Sequence, residues 1–339
     1  MDWSKSYKAT WRVYKVNRDT WADATILQKV DSLSITKTTD GSLLESGGIE
    51  LTGDFESGYY RVVMAAEQGG SIERVDVATL LFEKNGGDTD YSRTINSANG
   101  YSVLRPADTT AVTIGEYAPQ GVDGVKYAKE LLEGAINAPV VIDDNASFTL
   151  NEHLVHELGS SVLEAVWSVL NAGKCILQID GRGVVHIRKK PEEPSLVIDS
   201  SSKRLLMNKI DFSSDTSEIP NRYIVISDNK ITIASNNDRN SPVSIYNRGY
   251  CVDLVDTSPT PVNGMTYSEY ANAQLKEASV LKDTRAYTRE YAPNVYPYSI
   301  VRASIDGMMG DLRVESQSIE CGKGITVSER ASREIKLWE

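Results

Sequence analysis

The chain is expected to fold as α+β, mainly β, and three observations lead there. Residues 1–120 carry short apolar runs of period two, the period becomes helical near Gly121, and strand-like runs return after Ser195. With 339 residues, 40% hydrophobic and 24% charged, there is room for two or three domains with ordinary cores.

The first segment opens at 7–16, where Tyr7, Ala9, Trp11 and Val13 alternate with Lys8, Thr10, Arg12 and Tyr14, giving a strand with one apolar face. Similar runs at 32–38, 48–52, 59–65, 76–82 and 101–105 follow. Asp40-Gly41, Gly47-Gly48, Gly69-Gly70 and Gly86-Gly87 separate several of them, as a sandwich or barrel requires. Past Gly121, Asp123 caps a predicted helix carrying Val125, Ala128, Leu131, Leu132, Ala135 and Ile136, which Pro139 stops before a short strand at 140–142.

The best specified stretch is 160–191. Ser161 and Glu164 stand at capping-box spacing ahead of Val162, Leu163, Val166, Trp167, Val169 and Leu170, an apolar helical stripe, with Gly173 at the position of a left-handed C-terminal cap. The period then changes to two. Cys175 to Ile179, the turn Asp180-Gly181-Arg182-Gly183 and a second strand at 184–188 read as a β-hairpin. A linker-like Pro191-Glu192-Glu193-Pro194 ends this small α+β unit.

Strands are expected again at 208–212, 222–227, 230–234 and 249–255, and after a helix at 283–291, 312–319 and 334–338. Thr266 and Glu269 form a second capping box before Tyr270, Ala271, Gln274, Ala278 and Leu281, so one helix spans 266–282. The expected domains are 1–120, strand-rich; 121–195, α+β; and 196–339, strand-rich with that helix.

Composition narrows the function. No apolar run is long enough to span a bilayer, and the N-terminus lacks signal-peptide features, so the product is expected to fold in a cytoplasm without a membrane anchor. Cys175, Cys251 and Cys321 lie far apart and odd in number, which argues for reduced, mostly buried thiols. A formal net charge of −11 opposes non-specific adhesion to nucleic acid, and the only compact basic run, Arg188-Lys189-Lys190, reads as a solvated strand end.

The usual chemical motifs are missing. His153 and His156, beside Glu152 and Glu157, are spaced i and i+3 instead of the i and i+4 of a zincin, and His186 lies in the hairpin; surface or helix-cap histidines are expected. Asp88-Thr-Asp90 and Asp143-Asp144 do not continue into a calcium loop and read as turns or caps. No nucleophile elbow or phosphate loop occurs; a carboxylate pair for glycoside hydrolysis leaves no local spacing to find. Trp3, Trp11, Trp21, Trp167 and Trp338 with 17 tyrosines raise a carbohydrate platform, but Trp11 and Trp167 fall on apolar faces and are expected in the core. No catalytic, cofactor-binding or metal-binding residue is assigned.

The order of these elements resembles the baseplate-hub and tail-tip hub proteins of tailed bacteriophages and related contractile particles. The resemblance is carried by 163–190 with its Asp-Gly-Arg-Gly hairpin, by Asn221-Arg-Tyr-Ile-Val-Ile226, by Arg248-Gly-Tyr-Cys-Val-Asp253 and by the alanine-rich helix from Thr266. It implies a homotrimer whose protomers each contribute two β-barrel tube domains, 1–120 and 196–339, flanking the α+β domain. The resulting ring would match the hexameric tail tube and convert sixfold to threefold symmetry. It also implies a virion location at the tail tip or baseplate and assembly in the host cytoplasm. The implied partners are the tail tube or distal tail protein, spike or fibre proteins, the tape measure protein, and DNA passing through the bore without specific binding. As the sequence stops at Glu339, soon after the second barrel would close, a hub without an attached enzyme is expected. The alternatives are a tail-associated cell-wall hydrolase component and a carbohydrate-binding module.

Overall fold

Alternating β-branched and aromatic residues build most of the molecule. In the computed structural model, 51% of the residues are strand and 14% helix. The structure describes residues 1–339 except 2, 4–6, 54, 90–93, 114–116, 200–208, 228–229, 258, 260–264, 323 and 339. Asp90 and Asn208, which the sequence reading puts in a turn or cap and in a strand, lie outside the described residues.

The first strands are β1 (Lys8–Val16), β2 (Asp23–Leu27), β3 (Val30–Thr38), β4 (Glu45–Thr52), β5 (Gly58–Gln68), β6 (Ser71–Thr89) and β7 (Thr94–Tyr101). Next come α1 (Arg105–Thr109), β8 (Tyr117–Ala118), α2 (Gly124–Ala135), β9 (Val140–Ile142), β10 (Leu154–Val155), α3 (Val162–Ala172), β11 (Cys175–Ile179) and β12 (Val185–Lys189). The remainder is β13 (Pro194–Asp199), β14 (Asp211–Ser213), β15 (Arg222–Ser227), β16 (Lys230–Ser235), α4 (Ile245–Arg248), β17 (Asp253–Asp256), α5 (Tyr267–Ala278), β18 (Val280–Glu290), β19 (Ile300–Ile305), β20 (Met308–Cys321) and β21 (Ile325–Lys336).

Thirteen strands share one open sheet, in the order β14-β18-β21-β20-β3-β4-β7-β6-β5-β1-β2, with β19 on β20 and β13 on β19. The antiparallel β20–β3 pairing, Ser316 opposite Thr38 through Cys321 opposite Leu33, hydrogen-bonds strands from the two ends of the sequence into that sheet. Two compact units result: Met1–Ile210 with Ala286–Ala331, and Asp211–Arg285 with Ser332–Glu339.

Within the first unit, one core gathers Val13, Leu33, Ile35, Ile49, Leu80, Phe82 and Ile319. A second packs α2 and α3 on β11 and β12 through Leu132, Val166, Leu170, Leu177 and Ile187. A third joins Leu196, Tyr287, Val301, Met308 and Val314, and beside it the buried Glu329 accepts from Arg289 at 2.6 Å and Gln317 at 2.7 Å, so its charge is paired inside the protein. In the second unit, β15 pairs with β16 on one side and β17 on the other, and Tyr223, Val225 and Ala234 pack against Ala271 and Leu275 of α5.

Several expectations shift. Gly47-Gly48 and Gly86-Gly87 lie inside β4 and β6. A Cβ on Gly47 would stand 2.6 Å from the Ser34 carbonyl, so close packing and not a turn requires glycine there. The strand expected at 101–105 is divided: Tyr101 ends β7, and Pro106 in its first turn starts α1. Gly173 has φ −93° and Lys174 takes the left-handed conformation instead, at φ 53°. The helix expected over 266–282 ends at Ala278, where Ser279 donates back to the Leu275 carbonyl and β-branched Val280 begins β18. Gly249 is the left-handed cap of α4, so the strand expected from 249 starts at Asp253.

Candidate functional site

The Asp180–Gly183 turn does not project into solvent; it is seated against β5 and β6. Gly181 packs so tightly on β6 that a Cβ would lie 1.8 Å from the Asp76 carbonyl oxygen. Thr79 Oγ1 donates to Gly181 O at 3.1 Å, and Trp21 Nε1 donates to Arg182 O at 2.8 Å. Arg61 completes the clasp. With 2% of the residue exposed, its guanidinium donates to Asp23 at 2.6 Å, Thr79 Oγ1 at 3.2 Å, Trp21 O at 3.2 Å and Arg182 O at 3.1 Å. The α+β hairpin is thereby locked to the strand-rich segment.

The turn is held from its other side by charge. Asp180 accepts from the Val184 N–H at 2.9 Å, which draws Val184 into the turn and delays β12 to Val185. His186 lies 2.9 Å from Asp143 through Nδ1 and 3.6 Å from Asp180 through Nε2, and Arg188 Nε stands 3.3 Å from Asp143. Hydrogen bonding to Asp180, opposed by partial burial and reinforced by Asp143, raises the His186 pKa. Burial opposes ionisation of Asp180, but hydrogen bonds from His186 and the Val184 amide prevail and its pKa is lowered.

Beside the turn lies a cleft of about 800 Å³, lined among others by Glu73, Arg74, Asp76, Asp180, Arg182 and Asp199. Three of its carboxylates meet basic groups: Glu73 the Met1 ammonium at 3.1 Å, Asp76 the guanidiniums of Arg74 and Arg182 at 3.6 and 3.8 Å, and Asp180 the His186 imidazole. A general acid needs a raised pKa, and Asp180 moves the other way.

The sequence candidates are scattered. His153 is exposed and accepts from the Gln120 N–H at 3.2 Å, whereas His156 is buried, stacked on Tyr127 with Nε2 3.2 Å from its hydroxyl, contrary to the expected surface or cap role. Tyr127 on the apolar side of α2 supplies the partner that lets an imidazole be buried. Among the described residues no group of three His, Cys, Asp or Glu is placed to hold a metal ion. Cys175 and Cys321 are buried and Cys251 is exposed, all free. Trp11 and Trp167 are half-buried against cores, their indoles donating to Gly322 O and Ser42 O. The basic run is not simply solvated: Arg188 donates to Gln178, Lys189 to Gly173 O, and Lys190 lies over Tyr298, because β12 is flanked by β11 and β9. No helix among the described residues is long and apolar enough to cross a membrane.

The geometry is that of a β-rich molecule whose hairpin turn is clasped by buried donors. The sequence matches no protein-family model and no curated protein. Solved structures do match the fold. The tail protein from Neisseria meningitidis MC58 superposes with a TM-score of 0.65 at 13% identity, covering 98% of each chain. The 43 kDa tail protein of prophage MuSo2 from Shewanella oneidensis gives 0.64 at 11% identity, over 95% of this chain and 98% of that one. A chain of the Francisella PdpA-VgrG complex gives 0.56 at 8% identity, over 96% of this chain and 58% of that one. The resemblance read from element order is borne out at the level of fold: the chain has the fold of phage tail proteins.

Proposed function

We infer that this protein is a structural, non-enzymatic component of a phage-type tail, a trimeric baseplate or tail-tip hub located in the virion. The observation that carries this reading is the fold likeness to a tail protein over 98% of both chains. In the proposed assembly, domains 1–120 and 196–339 form two barrel-like tube domains and 121–195 decorates them. Three protomers make a ring that docks on the hexameric tail tube or distal tail protein, adapts sixfold to threefold symmetry, and receives spike or fibre proteins below. The tape measure protein and DNA occupy the bore, DNA without specific binding. Assembly takes place in the host cytoplasm.

Two features support a geometric role. Of the cleft carboxylates, Glu73, Asp76 and Asp180 each stand beside a basic group, an arrangement suited to holding the turn in place. The outer half of β6, Glu83–Thr89, is exposed throughout and pairs with β7 as a ribbon, a shape suited to reaching a neighbouring ring. The test is the mass of the purified chain at increasing concentration, with negative-stain images. Trimers or rings as wide as a tail tube are expected; a strict monomer at the highest concentration overturns the trimeric hub. Peptidoglycan clearing that vanishes on changing one cleft carboxylate would establish the hydrolase alternative, and saturable glycan binding by the monomer the carbohydrate-binding one.

A further inference from the structure

In the second unit α5 packs on one face of the three-stranded sheet, and among the described residues several aliphatic side chains of the other face are exposed. The register puts Ile226 opposite Ile231, and Ile224 opposite both Ile233 and Val255. These residues share the face turned away from α5. Ile226, Ile231, Ile233 and Val255 are 38%, 65%, 54% and 51% exposed. A layer of β-branched side chains this exposed is unusual in a folded domain.

The two edges of this sheet differ. β17 is four residues long and flanked by acids: Asp253 takes both arms of Arg222 at 2.6 Å, and Asp256 accepts from Tyr223 at 3.1 Å and Tyr270 at 2.9 Å. Such an edge resists further pairing. β16, Lys-Ile-Thr-Ile-Ala-Ser, has six residues, no proline, a register without a bulge, and pairs only with β15 among the described residues. Its charge, Lys230, stands at one end.

The edge is also pre-shaped. Buried Asn221 donates to the Val243 and Tyr250 carbonyls at 3.0 Å each and accepts from Val252 N at 2.8 Å, and Asn236 N donates to Asn221 O at 2.8 Å. These bonds fix where β15 begins and β16 ends, so the receiving edge itself has little left to order when a chain docks.

We propose that the free edge of β16 is a docking edge for an extended segment of a partner protein, which adds beside β16 as a fourth strand and sets its apolar side chains beside Ile231 and Ile233. Area selects this occupant: four aliphatic side chains about half exposed amount to roughly 300 Å², against about 800 Å² per partner in a standard globular interface. An added strand needs less area, because main-chain hydrogen bonds supply much of its affinity. The matching segment carries β-branched apolar residues at alternate positions, polar residues between them, and an acidic residue facing Lys230.

The probe is a fluorescent peptide, Glu-Val-Thr-Ile-Thr-Val-Glu, titrated against the full chain and followed by anisotropy. Two further peptides, each N-methylated at alternate residues in one of the two frames, remove in turn the two sets of donors an added strand could use. Saturable binding is expected, weakened at least tenfold by N-methylation in one frame and by Ile231→Lys or Ile233→Lys. Both isoleucines are exposed, so circular dichroism of these variants should match the parent. No binding below about 1 mM, or equal binding of methylated peptides or variants, overturns the proposal. A concentration-dependent dimer abolished by Ile233→Lys would make a second copy the occupant and likewise overturn it. Both readouts are independent of threefold assembly.

Discussion

Arg61 has five N–H donors and no acceptor, and four of its bonds are to Asp23, Thr79, Trp21 and Arg182, so few other side chains could close the turn from inside. Replacing it with Met keeps the apolar stem but leaves two carbonyls and a carboxylate short of donors. Arg61→Met should cost about 3 kcal/mol, read as a lower denaturant midpoint at unchanged slope; a loss below about 1 kcal/mol would show the turn is held elsewhere. His186 adds a pH term. Its folded pKa is raised, so its contribution is complete below the unfolded value of about 6.5 and fades as pH climbs through the folded value. Asp180 has the opposite sign: its pKa is lowered, and its contribution is lost as pH falls through the folded value. His186→Gln should therefore be less stable than the parent at pH 5.5, with the gap narrowing by pH 8. A gap independent of pH would mean the imidazole packs but does not titrate against Asp143 and Asp180.

At the scale of elements, a half-buried ring joins the two main helices. Phe148 lies between Gly124 at the start of α2 and Gly173 at the end of α3, where a Cβ would stand 2.2 Å and 2.1 Å from the ring. Gly173→Ala should destabilise more than the ~1 kcal/mol that loss of the Ser161 cap costs in Ser161→Ala. Most of that penalty should vanish in a Phe148→Ala background; equal penalties in both backgrounds would remove the ring from the account. These elements show what local sequence can reveal. Both capping boxes and the 175–189 hairpin were legible because their partners lie within a few residues. The seat of the turn was not, since Thr79 and Trp21 are 102 and 161 positions from the carbonyls they bind. Nor were the roles of Gly47 and Gly173: a glycine needed for close approach reads like one needed for a turn until its neighbour is known. The grouping of the cleft carboxylates was invisible for the same reason, as Glu73 and Asp76 lie on β6 whereas Asp180 comes from the hairpin turn, far along the sequence.

For the whole molecule, charge is the property to test against the proposed bore. A duplex passing a ring must not be held by it, and at −11 per chain three copies carry −33 before counterions. Duplex binding comes from clustered cations releasing counterions, and the one compact basic run here is occupied by Gln178, Gly173 and Tyr298. The purified protein should therefore fail to retard duplex DNA even at about 50 mM salt, where phosphate contacts are strongest. In the assembled ring, Asp and Glu should outnumber Lys and Arg on the lumen face. Retardation at low salt that fades steeply as salt rises would reveal a cationic stripe formed by the fold. The chain would then grip DNA instead of letting it slide, and the conduit role would have to be abandoned even if the trimer stood.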